Sequence, residues 1–241
     1  MKPFTFDYYK VLLESFIENK YEFIFFDEIN KIKDPKRKIV LLRHDIDFDP
    51  TKALELSMIE NIYGIHSTFF FMLNSNFYNI HNIKILDAIN KIIENGHKIG
   101  VHFDEASYKE SIGSKSLVKF IRKEINYFEE LLKIKIKIIS FHRPASSILL
   151  NEINIPIKHT YEKFYTKDIK YLSDSRKEMP EGDIIKLINN SAHSKIQLLI
   201  HPIWWNETYS SPTKDYMRFI EKKNMELKSE ISDNSNIYNY K

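Results

Sequence analysis

The chain has 241 residues, 43% hydrophobic and 29% charged, with a formal net charge of +3 at pH 7. That is core material for one large α/β domain or two small ones, and with so small a net charge and no basic run interleaved with aromatics it argues against a nucleic-acid binder. The absence of cysteine excludes disulfides, thiolate metal sites and a cysteine nucleophile, and the five glycines fall in no phosphate-loop or dinucleotide pattern.

Residues 1–10 hold no apolar signal core and no apolar run reaches membrane-spanning length, so a cytoplasmic protein is expected. Tyr8, Val11, Leu12, Phe16 and Ile17 recur at helical spacing and predict a helix over 5–19. An aromatic strand follows at 21–26, then a charged connection around Pro35. Lys38 to Asp47 reads as a buried strand that ends in two carboxylates, Asp45 and Asp47. Period-two alternation points both the same way. Two acids closing an apolar run are costly unless a metal, a basic partner or a proton is shared there. Asp49 is a helix N-cap and Pro50 a first helical residue, so a helix is expected over 50–63, stopping near Gly64.

Residues 67–73 form a strand too apolar to be exposed on either face. A polar loop at 74–81 leads to a helix at 83–94, closed by Gly96. A strand at 97–102, a helix at 117–132 and an Ile-rich strand at 134–141 follow. Residues 145–190 carry short strands, one at 170–172. A strand at 196–200 runs into His201-Pro202, and the last helix covers 212–231. Strands alternate with helices throughout, which argues for a mainly parallel sheet, open or closed into a barrel. The whole chain, 1–241, is expected to be one domain. Its motif-bearing core is 38–205, with the helix and strand of 5–26 and the last helix packed on it.

Four strands end in polar clusters: His44/Asp45/Asp47, His102/Asp104/Glu105, His142/Arg143 and His201. A parallel sheet brings such ends to one rim, where α/β folds place their chemistry. Carboxylate plus imidazole is the donor set of a zinc or other divalent site, and a further carboxylate and histidine would supply a base and an acid. His44 lies on the opposite strand face from Asp45 and reads as structural, as do His66 and His97. Asp49 reads as a cap. His81, His159 and His193 are loop histidines with no assigned task. Trp204 and Trp205 are either core or an aromatic wall suited to a sugar ring.

These residues resemble, in order, the motifs of the polysaccharide deacetylase superfamily, carbohydrate esterase family 4 and its relatives. Arg43-His-Asp-Ile-Asp47 resembles the first motif, Gly96-His-Lys-Ile-Gly-Val-His102 the second, and Phe141-His-Arg-Pro144 the third. Ser173-Asp174-Ser175 resembles the fourth and Leu198-Leu-Ile-His-Pro202 the fifth. The His-Asp-x-Asp start and His-Pro-x-Trp end are closest to a branch associated with bacterial surface-polysaccharide and lipopolysaccharide gene clusters. The resemblance implies a distorted, incomplete (β/α) barrel and a metal-dependent hydrolase that removes an N- or O-acyl group, acetyl by expectation, from a sugar or glycan precursor. By the same resemblance Asp45 is the base, Arg143 orients it, His201 is the catalytic acid with Asp174 behind it, and Asp47 and His102 hold a divalent ion, zinc by expectation.

The chain departs from the family pattern at two places. The usual second motif has a histidine four positions beyond the first; here that position is Ala106, so either a third ligand comes from elsewhere, with His142, Glu105 or Asp104 as candidates, or the metal is weak or absent. The glycine that usually follows the third motif's proline is replaced by Ala145. Two other readings stay open: a non-catalytic glycan-binding or scaffold protein on a decayed esterase fold, and a hydrolase of a non-sugar amide.

Overall fold

The computed structural model describes residues 1–108, 114–150, 152–179, 182–235 and 237–238. Helix α1 (Phe6–Glu18) leads through a two-residue strand β1 (Glu22–Phe23) to β2 (Ile39–Ile46), all eight residues of which are buried. Then come α2 (Pro50–Ile62), β3 (Thr68–Phe71), α3 (Ile83–Glu94), β4 (Lys98–Phe103), α4 (Ser114–Leu132) and β5 (Ile139–Phe141). A short α5 (Ser146–Leu149) precedes β6 (Lys170–Ser173), α6 (Ile184–Asn189), β7 (Lys195–Ile200) and α7 (Pro212–Asn234). The caps follow the sequence: Asp49 accepts from the Thr51 amide with Pro50 in the first turn, and Ser211 caps α7 with Pro212 behind it. The expected strand at 21–26 shrinks to β1, because its second half turns into a 3₁₀ helix (Phe26–Lys31) that buries Phe26 and Ile29. The expected strand at 134–141 pairs only over β5.

All strand pairs are parallel, in the order β5-β4-β3-β2-β7-β6, with β1 beside β2. In a flat sheet β2 and β5 would stand roughly 14 Å apart at the usual strand spacing. The Ser140 hydroxyl on β5 nevertheless donates to Asp45 Oδ2 on β2 at 3.0 Å. The sheet is therefore curled, with its carboxyl ends gathered at one rim, but β5 and β6 do not pair. This is the incomplete (β/α) barrel that the motif order implies. At its open edge the chain near His159 bridges to Ile139 of β5.

The curl has two chemically different sides. Outside, α2, α3 and α4 cover Phe69, Phe71, Val101 and Phe141, while α1, α6 and the start of α7 cover Val40, Leu42, Leu198 and Ile200. Inside, the floor is apolar: Ile39, Leu41, Phe70, Ile138 and Tyr165 pack together. Phe70 fits there because Gly100 faces it across the β3–β4 register; a Cβ on Gly100 would come within 2.4 Å of the Phe70 ring. Above that floor the inner face becomes polar.

One buried cluster pins β2 to the helices outside it. Glu60 of α2 is fully buried and lies 2.6 Å from His44 Nε2; it accepts from Tyr9 Oη at 2.5 Å and from Ser67 Oγ at 2.6 Å. His44 also stacks on Phe69, with ring centroids 4.2 Å apart. Burial opposes a charged Glu60, but the imidazoles of His44 and His97 and the Ser67 hydroxyl outweigh it and hold the carboxyl below its ordinary range. Glu60→Ala would strand three buried polar partners, and such losses run to ~3 kcal/mol or more. Urea unfolding should show that loss; a change below ~1 kcal/mol would mean the cluster is dispensable.

Candidate active site

Period-two alternation places Arg43, Asp45 and Asp47 on the inner side in ascending order. The lowest step is a fully buried arginine. Arg43 Nη2 donates to Asp45 Oδ2 and to Tyr161 Oη, each at 3.1 Å, and Nη1 donates to Gln197 Oε1 at 3.3 Å. The Tyr161 ring lies 5.0 Å from the guanidinium. Asp45, 2% exposed, is the next step. Its Oδ2 takes both Arg43 and Ser140, while no donor among the described residues reaches its buried Oδ1.

The third step is a cluster of possible ligands. Asp47 Oδ1 lies 3.0 Å from His102 Nε2 and 3.2 Å from His142 Nδ1, and the two imidazole nitrogens are 3.2 Å apart. His102 Nε2 carries one proton at most and cannot donate along both of its edges of this triangle. Ligands at ~2.0–2.2 Å around a tetrahedral ion stand roughly 3.3–3.5 Å from one another, close to the spacing here. One carboxylate and two imidazoles thus fit a divalent ion, with zinc suited to that donor set. Burial opposes Asp47's charge, but hydrogen bonds with His102 and His142 and the fields of His102 and His201 hold its carboxyl well below the usual carboxylate range.

The fourth element faces this triangle. Asp174, fully buried at the end of β6, accepts from the His201 backbone amide at 2.9 Å and from Trp205 Nε1 at 2.8 Å. His201 Nδ1 lies 2.6 Å from Asp174 Oδ1. Burial disfavours a charged His201, yet Asp174, with Asp47 and Asp45 beyond it, outweighs that and raises the imidazole to about 9. Asp45, Asp47 and His201 line one crevice. It opens into a cleft of about 560 Å³ walled by Phe48, Phe77, Trp204 and Tyr216, with His142, Asp104, Arg143 and Arg176 also on its lining.

Two assignments change. Arg143 does not orient Asp45: its side chain is 70% exposed and pairs with Asp104 at 3.1 Å, because the residue sits beyond the end of β5 rather than within the barrel. Arg43 is the arginine that contacts Asp45, and alternation from Asp45 could have found it. Trp205 is no part of the cleft wall; it is fully buried and edges against Tyr9, its indole spent on Asp174. Trp204 does line the cleft. Of the three candidates for the third ligand, His142 joins Asp47 and His102, while Asp104 caps the turn at Ala106 and neither it nor Glu105 enters the cluster.

No family model matches the chain, and no curated protein matches it. Several solved structures resemble it. The chitin deacetylase from Colletotrichum lindemuthianum aligns with a TM-score of 0.48 at 19% identity, over 78% of this chain and 84% of that one. A peptidoglycan deacetylase from Bacillus subtilis aligns with a TM-score of 0.45 at 12% identity, over 82% and 98%. A CE4 family pseudoenzyme from Bacillus anthracis aligns at 0.47 and 14%, over 80% of this chain and 63% of that one.

The ligand geometry makes a direct prediction. His142→Ala should weaken zinc binding at least ~10-fold in competition with a chromophoric chelator, while Glu105→Gln stays near the unaltered protein. Equal losses in the two variants would remove His142 from the ligand set.

Proposed function

We propose that this protein is a metal-dependent hydrolase that removes an N- or O-acyl group, acetyl foremost, from a sugar or glycan precursor of bacterial surface polysaccharide. The observation that carries the reading is the meeting of three groups at one crevice: a buried carboxylate with one oxygen that no described donor reaches, a carboxylate–imidazole triangle, and a histidine backed by an aspartate. Asp47, His102 and His142 would hold the ion, which when bound lowers the pKa of water and polarises an acyl carbonyl.

The rest falls to the chain's own residues. Asp45 takes the proton of the attacking water on Oδ1, while Arg43 and Ser140 fix the carboxyl through Oδ2. His201, protonated at neutral pH, gives a proton from Nε2 to the departing amine or alkoxide. Asp174 fixes the ring through Nδ1 and offsets the charge it carries. The aromatic wall of Phe48, Phe77, Trp204 and Tyr216 offers ring faces and edges to a sugar, with polar side chains at its margin. Retention of Asp45, Asp47, His102, His142, Asp174 and His201 in these contacts favours catalysis over a purely binding role.

Asp45→Asn should lower kcat on an acetylated amino sugar by ~10²–10⁴-fold while zinc stays bound. Unchanged turnover would remove Asp45 as the base. The acid has its own signature. His201 acts while protonated, so kcat/KM should fall as pH rises through its pKa. Asp174→Asn removes the charge that raises that pKa, so the alkaline limb should move to lower pH. A limb that stays in place in the Asp174→Asn pH–rate profile would exclude His201 as the acid.

A further inference from the structure

The segment that places Asp174 also delivers an arginine to the cleft. A 3₁₀ turn, Ser175–Lys177, follows Asp174 directly. Arg176 and Lys177 both sit in the left-handed region, at φ +60° and +58°. Two successive non-glycine residues there are unfavourable, and such outliers persist only where their surroundings impose them. What imposes them is visible. Lys177 is buried, pairs with Asp215 at the start of α7, and donates to the Ser210 carbonyl at 2.8 Å. Asp215 in turn accepts from Asn206 and Ser210. This anchor holds the turn against α7 while Arg176 lies exposed on the cleft lining.

The two cleft arginines differ in one respect. Arg143 is matched by Asp104 at 3.1 Å. Among the described residues nothing pairs with Arg176, whose guanidinium keeps five donors and a full charge for something else. Neutral sugars need no such group. A phosphate ester or a carboxylate matches its planar fork with paired, charge-assisted hydrogen bonds.

We propose that the cleft takes an acylated sugar bearing an anionic group, a phosphate ester or a carboxylate, and that Arg176 selects it. The inference rests on reading the cleft as an acyl-sugar site and deepens that reading. The test is calorimetric titration of the full chain, freed of metal so that no ion offers the anion a counter-charge. The probes are N-acetylglucosamine, its 1- and 6-phosphates, and N-acetylmuramic acid.

At least one anionic probe should bind about tenfold or more tighter than N-acetylglucosamine, and which one does so separates phosphate from carboxylate. Arg176→Gln should erase that preference and Arg176→Lys should keep part of it. Arg176→Gly should erase it too while raising Tm by about 2 °C, because glycine accepts the left-handed turn. Equal affinity for neutral and anionic probes, binding of none, or a preference that survives Arg176→Gln would overturn the proposal. So would a fall in Tm for Arg176→Gly, which would make the arginine a stabiliser of the turn, or loss of the preference in Arg143→Gln alone. Hydrolysis by the zinc-loaded chain is scored separately. Anion preference without hydrolysis leaves this inference and defeats the acyl-hydrolase reading; hydrolysis without anion preference does the reverse.

Discussion

A carboxylate withdrawn from water needs a counter-charge, and here the need is met from below by Arg43. Removing a guanidinium and a carboxylate from water is expensive for both, so the pair adds little net stability; its value is positional. Buried Arg43 gives its Nη donors to Asp45, Gln197 and Tyr161, and the rings of Tyr161 and Tyr171 lie 5.0 and 5.9 Å from it. Gln197 in turn donates to the Tyr165 carbonyl at 2.8 Å. The stretch from His159 to Tyr165, at the open edge beside β5, is thus tied to the arginine under Asp45. The gap in the barrel and the position of Asp45 are one structural problem with one solution.

The same economy governs the other side of the crevice. Asp174 spends its oxygens on the His201 amide, the His201 imidazole and the Trp205 indole. Trp205 edges against Tyr9, and Tyr9 donates to Glu60, which meets His44 on the outer face of β2. His201 and Asp45 are therefore each braced by buried contacts, outside the sheet for the histidine and inside it for the aspartate. Pre-oriented dipoles and charges need no rearrangement when substrate charge develops, which is where such sites gain most of their effect.

Much of this was legible from residue order. The alternation of apolar strands with amphipathic helices predicts the parallel sheet, and the polar residues at strand ends predict the rim at which Asp47, His102, His142 and His201 gather. Arg43 was hidden for a physical reason: it stands inside the run Ile39–Ile46, where a strand reads as core, and a buried cation betrays itself only through the parity it shares with Asp45. Arg143 misled because a motif gives a residue's place in the chain but not the strand's last paired residue. The His142 amide makes the last ladder bond of this strand, so Arg143 falls beyond the barrel's alternation, with its backbone in the left-handed region at φ +50°. Trp204 and Trp205 were indistinguishable by composition. A 3₁₀ turn at Pro202–Trp204 sends one indole to the cleft and the other into the core. Arg176 left no sequence signal, since its conformation depends on a buried lysine and an aspartate from α7.

The missing second histidine at Ala106 has a geometric answer. A ligand four residues beyond His102 would approach from the turn after β4. His142 approaches instead from the neighbouring strand. The β4–β5 register pairs His102 with Ser140, and the His142 amide extends that ladder by donating to the Phe103 carbonyl at 2.8 Å. Parity puts Ser140 and His142 on the same inner side, one step apart. Ser140 therefore meets Asp45, and His142, one step higher, meets Asp47. β2 climbs from Asp45 to Asp47 in the same two-residue stride, so two parallel strands present matched partners at matched heights. His142 reaches Asp47 and His102 from a strand because the sheet curls enough to bring β5 across to β2. The 3.0 Å contact between Ser140 and Asp45 is the measure of that curl.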